Sequence, residues 1–76
     1  MFDKNIFGER LREVRQLKNM SLQTLGEKLN SSKGTLSNIE NGVKSPSIEF
    51  AVLITSVLNV SLDYLVGLTD NKEINK

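Results

Sequence analysis

The chain has 76 residues, contains neither cysteine nor histidine, and carries a formal net charge of +1. A chain of this length forms one small domain, and its composition excludes disulfides as well as the commonest metal ligands and the commonest general base. No apolar run is long enough to cross a membrane, and no apolar segment follows Met1 as in a signal peptide, so we expect a cytoplasmic protein without cofactor or metal.

Charge is distributed unevenly along the chain. Residues 5–44 carry seven cations and four anions, whereas residues 45–76 carry two cations and four anions. The first part is therefore the candidate for contact with phosphate, and the second part the candidate for contact with protein. A mixed, solvated surface would show a charge bias of this size too, so charge alone does not establish which partner each part contacts.

The first predicted element is an amphipathic helix from about Asn5 to Lys18. Phe7, Leu11, Val14 and Leu17 recur at spacings of four, three and three residues, with charged residues between them. This period places the four apolar side chains on one helix face, which we expect to be buried.

Two short helices follow, and a serine stands at the start of each. Ser21 is a predicted N-cap for a helix that reaches Leu29, and Ser32 for a helix that reaches Glu40. In the latter, Leu36 and Ile39 are the apolar positions that face the core. Gly42 can adopt the left-handed conformation that favours the end of a helix.

Two more helices are predicted in the second half. Pro46 suits the first turn of a helix that ends near Leu58, and either Ser45 or Ser47 caps it. Ser61 caps a short helix over residues 62–66 that Gly67 ends. Residues 1–67 thus form an all-α, five-helix domain, and residues 68–76 are predicted to be a polar, frayed C-terminal tail.

The two short helices joined by a tight turn are a helix-turn-helix candidate. Around them, four blocks in the right order and at the right spacing resemble the lambda-repressor/Cro-like family, the XRE-type helix-turn-helix regulators. The blocks are MSLQTL at 20–25, LSNIENG at 36–42, SPS at 45–47 and LNVSLD at 58–63. The resemblance implies a compact lambda-repressor-like domain that binds duplex DNA.

The resemblance also implies that helix 32–40 lies in the major groove, as the second helix of such motifs does. Four positions match the family's base-reading sites: Lys33, Gly34, Ser37 and Asn38. An asparagine can pair with adenine through two hydrogen bonds, and a lysine can donate to guanine. Gly34 departs from the usual longer polar residue, which indicates either a close approach of the backbone to the bases or relaxed specificity. The alternative for the whole face is an ordinary solvated helix surface.

Phosphate contacts are expected on both sides of this helix. Ser21 and Ser32 stand at helix N-termini, where backbone N–H groups favour an anion, although capping alone also explains both serines. Asn41 and Lys44 match positions that reach the DNA backbone in the family. Relatives often carry glutamine where this chain has Leu22, so Gln23 is the candidate replacement.

Arg15 and Glu40 match the family's ion pair between the first helix and the end of the reading helix. A glutamate beside DNA would repel phosphate unless a cation neutralised it. The alternative is two unrelated surface charges.

The fourth helix is apolar on two sides, which in a small protein favours a partner on each side. We expect a homodimer through this helix and the turn after it, with an interface formed by Phe50, Leu53, Val57, Asn59, Val60 and Ser61. The alternative is a core helix with one exposed leucine.

An enzyme is not expected, because the chain lacks a phosphate-cradling glycine loop, histidine, cysteine and a carboxylate pair at useful spacing. The predicted function is a phage- or mobile-element-type repressor on a pseudo-palindromic operator. Three alternatives stay open: the antitoxin of a toxin–antitoxin pair, the controller of a restriction–modification operon, and an interaction module that lost DNA binding. Besides duplex DNA and a second copy of the chain, a toxin or an antirepressor is a candidate partner.

Overall fold

Five helices form the framework of this computed structural model, which describes residues 1–74. They are α1 (Lys4–Leu17), α2 (Leu22–Leu29), α3 (Lys33–Glu40), α4 (Ile48–Leu58) and α5 (Leu62–Val66), and residues 1–74 contain no strand. The all-α, five-helix prediction is confirmed. None of the helices in this part of the chain has the length and apolar character needed to span a membrane.

A side-chain oxygen caps the start of every helix. Ser21, Ser32 and Ser61 accept hydrogen bonds from backbone N–H groups three residues further on, as predicted. Ser47 rather than Ser45 caps α4, so Pro46 lies before the cap and not in the first turn. Asp3 caps α1 and accepts from two backbone N–H groups, so this helix starts one residue earlier than the apolar pattern predicts.

Each helix contributes the apolar side chains of one face to the core. Its buried members are Phe7, Leu11, Val14, Leu25, Leu29, Leu36, Ile39, Ala51, Ile54, Leu58, Val60, Tyr64 and Leu65. The prediction that Leu17 is buried was wrong: it is the last residue of α1, one turn beyond the buried Val14, and is 63% exposed.

The close crossing of α1 and α3 fixes the position of the motif's second helix. Gly8 of α1 is buried against the end of α3, and a Cβ atom on it would lie 2.4 Å from the carbonyl oxygen of Ile39 and 2.5 Å from that of Glu40. Only a glycine allows the two backbones to approach this closely. The C-terminal end of α3 is therefore held directly against α1.

Residues after α5 pack back onto α1 through Arg10. Its guanidinium donates to the carbonyl oxygens of Tyr64 at 2.7 Å and Thr69 at 2.6 Å, and it pairs with Asp70 at 3.1 Å. The carbonyl oxygen of Lys72 accepts from the backbone N–H of residue 61 at 2.8 Å. The sequence pattern contained no sign of these contacts. Fraying of the tail stays a prediction about motion, and its residues 75 and 76 lie outside the described part of the chain.

Tyr64 joins α5 to α1. Its hydroxyl donates a hydrogen bond to the carboxylate of Glu13, and its ring lies beneath the cations of Arg10 and Lys72, at 4.3 Å and 4.8 Å from the ring centre. Burial raises the pKa of Tyr64 above its ordinary value of 10.0, and the neighbouring Glu13 carboxylate raises it further. The phenol therefore stays neutral and keeps donating at physiological pH.

Candidate nucleic-acid interface

One side of α3 is built into the core and the other is open. Leu36 and Ile39 are 0% and 1% exposed. Lys33, Gly34 and Asn38 are exposed on the other side, and Ser37 is half-buried. The structure thus brings the four predicted base-reading residues together on the outer surface of α3.

Gly34 has no packing partner that would require a glycine. A Cβ atom on it would have no packing neighbour among residues 1–74 within 4 Å, and its φ lies outside the left-handed region. A glycine in a helix costs up to about 1 kcal/mol relative to alanine. Packing within the described part of the chain does not explain this residue, so any benefit of the missing side chain has to arise at the surface.

The two serines predicted to contact phosphate are engaged as caps. The Ser21 hydroxyl oxygen accepts from the Thr24 backbone N–H at 3.0 Å, and that of Ser32 accepts from the Thr35 backbone N–H at 3.0 Å. Both serines are exposed, and they stand at helix N-termini, where the first-turn N–H groups have no acceptor within the helix. Gln23 is also exposed and lines one open cleft together with residues at the start of α3.

Beyond α3, the chain turns back on Asn38. The carbonyl oxygen of Asn38 accepts from the backbone N–H groups of Val43 at 2.9 Å and Lys44 at 3.2 Å. Asn41 is the C-cap of α3, and Asn41 and Lys44 both have exposed side chains. The two residues predicted to reach the DNA backbone after the reading helix therefore lie next to the predicted base-reading Asn38.

Glu40 is buried at the base of this surface and paired with two arginines. Arg15 approaches it at 2.7 Å and 3.1 Å through two nitrogens and also donates to the carbonyl oxygen of Met20. The ion pair expected from the family resemblance is thus present. Arg12 adds a second cation at 3.3 Å from Glu40, which sequence reasoning missed. The sequence could have indicated this contact. Arg12 and Arg15 are three residues apart and therefore share a helix face, so a residue that pairs with Arg15 can also lie near Arg12.

The surface predicted for dimerisation is only partly exposed. Leu53 is 42% exposed and Phe50 and Val57 are half-buried on α4. Asn59 is exposed, and Ser61 is half-buried as the cap of α5. Val60 is 2% exposed, so its predicted place in an interface was wrong: its side chain fills the core between α4 and α5.

Comparison of the sequence with known proteins gives matches along most of the chain. The sequence model of the helix-turn-helix family matches residues 11–65. The HTH-type transcriptional regulator SinR of Bacillus licheniformis is 36% identical over 69 residues, which cover 90% of this chain and 62% of that protein. The chain spans between 54% and 62% of the length of the first curated relatives that it matches.

Two solved structures illustrate the likeness of the fold. The restriction-modification controller protein C.AhdI of Aeromonas hydrophila superposes with a TM-score of 0.77 at 27% identity, over 83% of this chain and 96% of that one. SinR, described as the master regulator for biofilm formation and crystallised in complex with DNA, superposes with a TM-score of 0.73 at 38% identity. That match covers 78% of this chain and 95% of the SinR chain.

Proposed function

Since the chain belongs to the helix-turn-helix family, we propose that it is a transcriptional regulator that binds duplex DNA with α3 in the major groove. The observation that carries this proposal is the surface of α3. Its exposed polar side chains lie on a short helix whose end is held against α1 by Gly8 and by the buried Glu40. A rigidly held, polar helix surface suits recognition of base edges, and a similar chain has been solved in complex with DNA.

Within this proposal, each part of the surface has its own role. Lys33, Gly34, Ser37 and Asn38 face the bases. The N-terminal ends of α2 and α3, with Ser21, Gln23 and Ser32, meet phosphates on one side, and Asn41 and Lys44 meet phosphates on the other side. Base contacts would select the sequence, and phosphate contacts would fix the register of the helix.

The affinity for duplex DNA is expected to depend on the salt concentration. Binding to a long duplex should weaken steeply between low and physiological salt, because phosphate contacts release counterions from DNA. Fluorescence anisotropy of a labelled duplex at several salt concentrations measures the slope. An affinity that stays the same across this range would exclude the proposed binding mode.

We also propose that the regulator acts as a homodimer through α4 and the turn before α5. An apolar patch of Phe50, Leu53 and Val57 supports this, with Leu53 42% exposed in the isolated chain. A dimer with twofold symmetry would present two copies of α3 to half-sites about one helical turn apart on one face of the DNA.

Leu53→Glu is therefore expected to give a folded monomer with weakened DNA binding, because a charge in an apolar interface opposes association. The matched control is Ile48→Glu, which puts the same charge on another exposed apolar residue of α4, about 140° away around the helix axis. Sedimentation should give a dimer for the parent and for Ile48→Glu, and a monomer for Leu53→Glu. A parent chain that sediments as a monomer at high concentration would refute the dimer.

A second candidate function is control of a restriction–modification operon. The observation that favours it is the superposition on C.AhdI, which extends over 96% of that controller. The genes that flank this one separate the two candidates. Restriction and methyltransferase genes beside it would favour the controller, and their absence would favour the repressor of a phage or mobile element.

A further inference from the structure

The Arg12 side chain contacts two residues at the end of α3, Glu40 and Asn41. Its Nε lies 3.3 Å from Oε1 of the buried Glu40, and its Nη2 donates a hydrogen bond to Oδ1 of Asn41. Its side chain is 43% exposed, whereas that of Arg15 is only 11% exposed. Arg15 therefore neutralises Glu40 within the protein, and Arg12 extends from the same carboxylate to the surface where α3 ends.

The contact with Arg12 fixes which way the Asn41 amide is turned. Because Oδ1 accepts from Arg12, the Nδ2 group points the other way, where it lies 3.4 Å from the hydroxyl oxygen of Ser37. An amide nitrogen carries two hydrogens, so besides this weak bond a second hydrogen has no acceptor among residues 1–74. Phosphate oxygens only accept hydrogen bonds, so Asn41 can bind a phosphate only through this nitrogen. An amide turned by 180° would present an oxygen that phosphate repels.

The charges around Glu40 also favour a phosphate as the ligand of Asn41. Two arginines surround one glutamate, so the group carries a net positive charge, and the exposed arginine is the one beside Asn41. Arginine forms strong, charge-assisted hydrogen bonds with phosphate, so a cation beside the Asn41 donor favours a phosphate as the ligand.

We propose that Arg12 is a positioning residue for DNA binding: it holds the amide of Asn41 with its nitrogen outward, ready to donate to a phosphate. This inference rests on the proposed function. It assigns a role in DNA recognition to a residue of α1, outside the helix-turn-helix itself.

A double-mutant cycle on duplex binding tests the inference. Arg12→Lys keeps the charge but loses the planar fork that reaches Glu40 and Asn41 together. It should weaken binding on the order of 3- to 10-fold, the effect of one hydrogen bond, in the parent chain. In the Asn41→Ala chain, where no amide is left to orient, the same change should have less than about a 2-fold effect. Arg12→Gln serves as the variant that also removes the charge, and it should weaken binding further in both chains.

A measurement without DNA separates this inference from the proposed function. The side-chain amide NMR signals of Asn41 should shift in Arg12→Lys and stay in place in Lys18→Ala, which removes an exposed cation at the end of the same helix. Equal losses of affinity from Arg12→Lys in both chains, or unchanged Asn41 signals, would overturn the positioning role. A parent chain that does not bind duplex DNA would instead refute the proposed function.

Discussion

Arg15→Ala is expected to lower the free energy of unfolding by about 3 kcal/mol, at the lower end of the range for breaking a buried ion pair. Glu40 is 3% exposed, and Arg15 makes two of its three contacts with arginine nitrogens. Without Arg15, the carboxylate stays buried with only the longer contact to Arg12, and the carbonyl oxygen of Met20 loses its donor. The remaining contact is the reason for placing the loss at the lower end.

Lys18→Ala is the matched control, since Lys18 is an exposed cation three residues further along the chain. An exposed charge contributes about 0–1 kcal/mol. In a domain of this size, 1 kcal/mol shifts the thermal midpoint by about 4–8 °C, so the two variants should differ clearly in a thermal melt. Equal midpoints would show that the Arg15–Glu40 pair does not stabilise the fold.

Gly8→Ala is expected to destabilise the protein by about 1–3 kcal/mol or more, the cost of forcing an extra methyl into a packed site. The new Cβ would lie within 2.8 Å of three backbone atoms at the end of α3. Backbone cannot move aside as a flexible side chain does, so α1 and α3 would have to separate. The same movement would disturb the group formed by Glu40 and its two arginines.

Gly34→Ala is the matched control, because a Cβ there would lie more than 4 Å from every packing neighbour in the described part of the chain. It should raise the free energy of unfolding by up to about 1 kcal/mol, because alanine is the better helix former. Chemical denaturation of both variants measures the two free energies. A stable Gly8→Ala protein would mean that α1 and α3 can pack together with a wider separation.

Local chemistry made most of the helical framework predictable from the sequence. A serine that accepts from the N–H three residues on is a local event, so Ser21, Ser32 and Ser61 were recognised as caps. The choice between Ser45 and Ser47 could not be made, because both stand close to Pro46 and differ only in how the chain enters α4. The open side of α3 followed from the positions of Leu36 and Ile39, which face the core.

Contacts between distant parts of the chain were not predictable in this way. Helical periodicity tells which face of a helix is buried but not which element covers it. The bonds of Arg10 to residues after α5 link positions more than fifty residues apart, and the contact of Arg12 with Asn41 depends on where α3 ends over α1. Val60 was misplaced for a similar reason, since only the packed structure shows that a turn residue fills the core.

Competition titrations of Asn38→Ala and Lys44→Ala test the central claim, that α3 reads DNA sequence, most directly. The duplex is one that the parent protein selects from a random pool, and each variant is measured on it and on a scrambled duplex at two salt concentrations. Both side chains are exposed, so neither change should unfold the protein.

Asn38→Ala should lose about 1–3 kcal/mol of binding free energy on the selected duplex and little on the scrambled one. Lys44→Ala should weaken both duplexes equally and make the salt slope shallower by about one unit. If Asn38→Ala weakens both duplexes to the same degree, Asn38 does not read a base, and the base-reading roles of Lys33, Gly34 and Ser37 are contradicted with it.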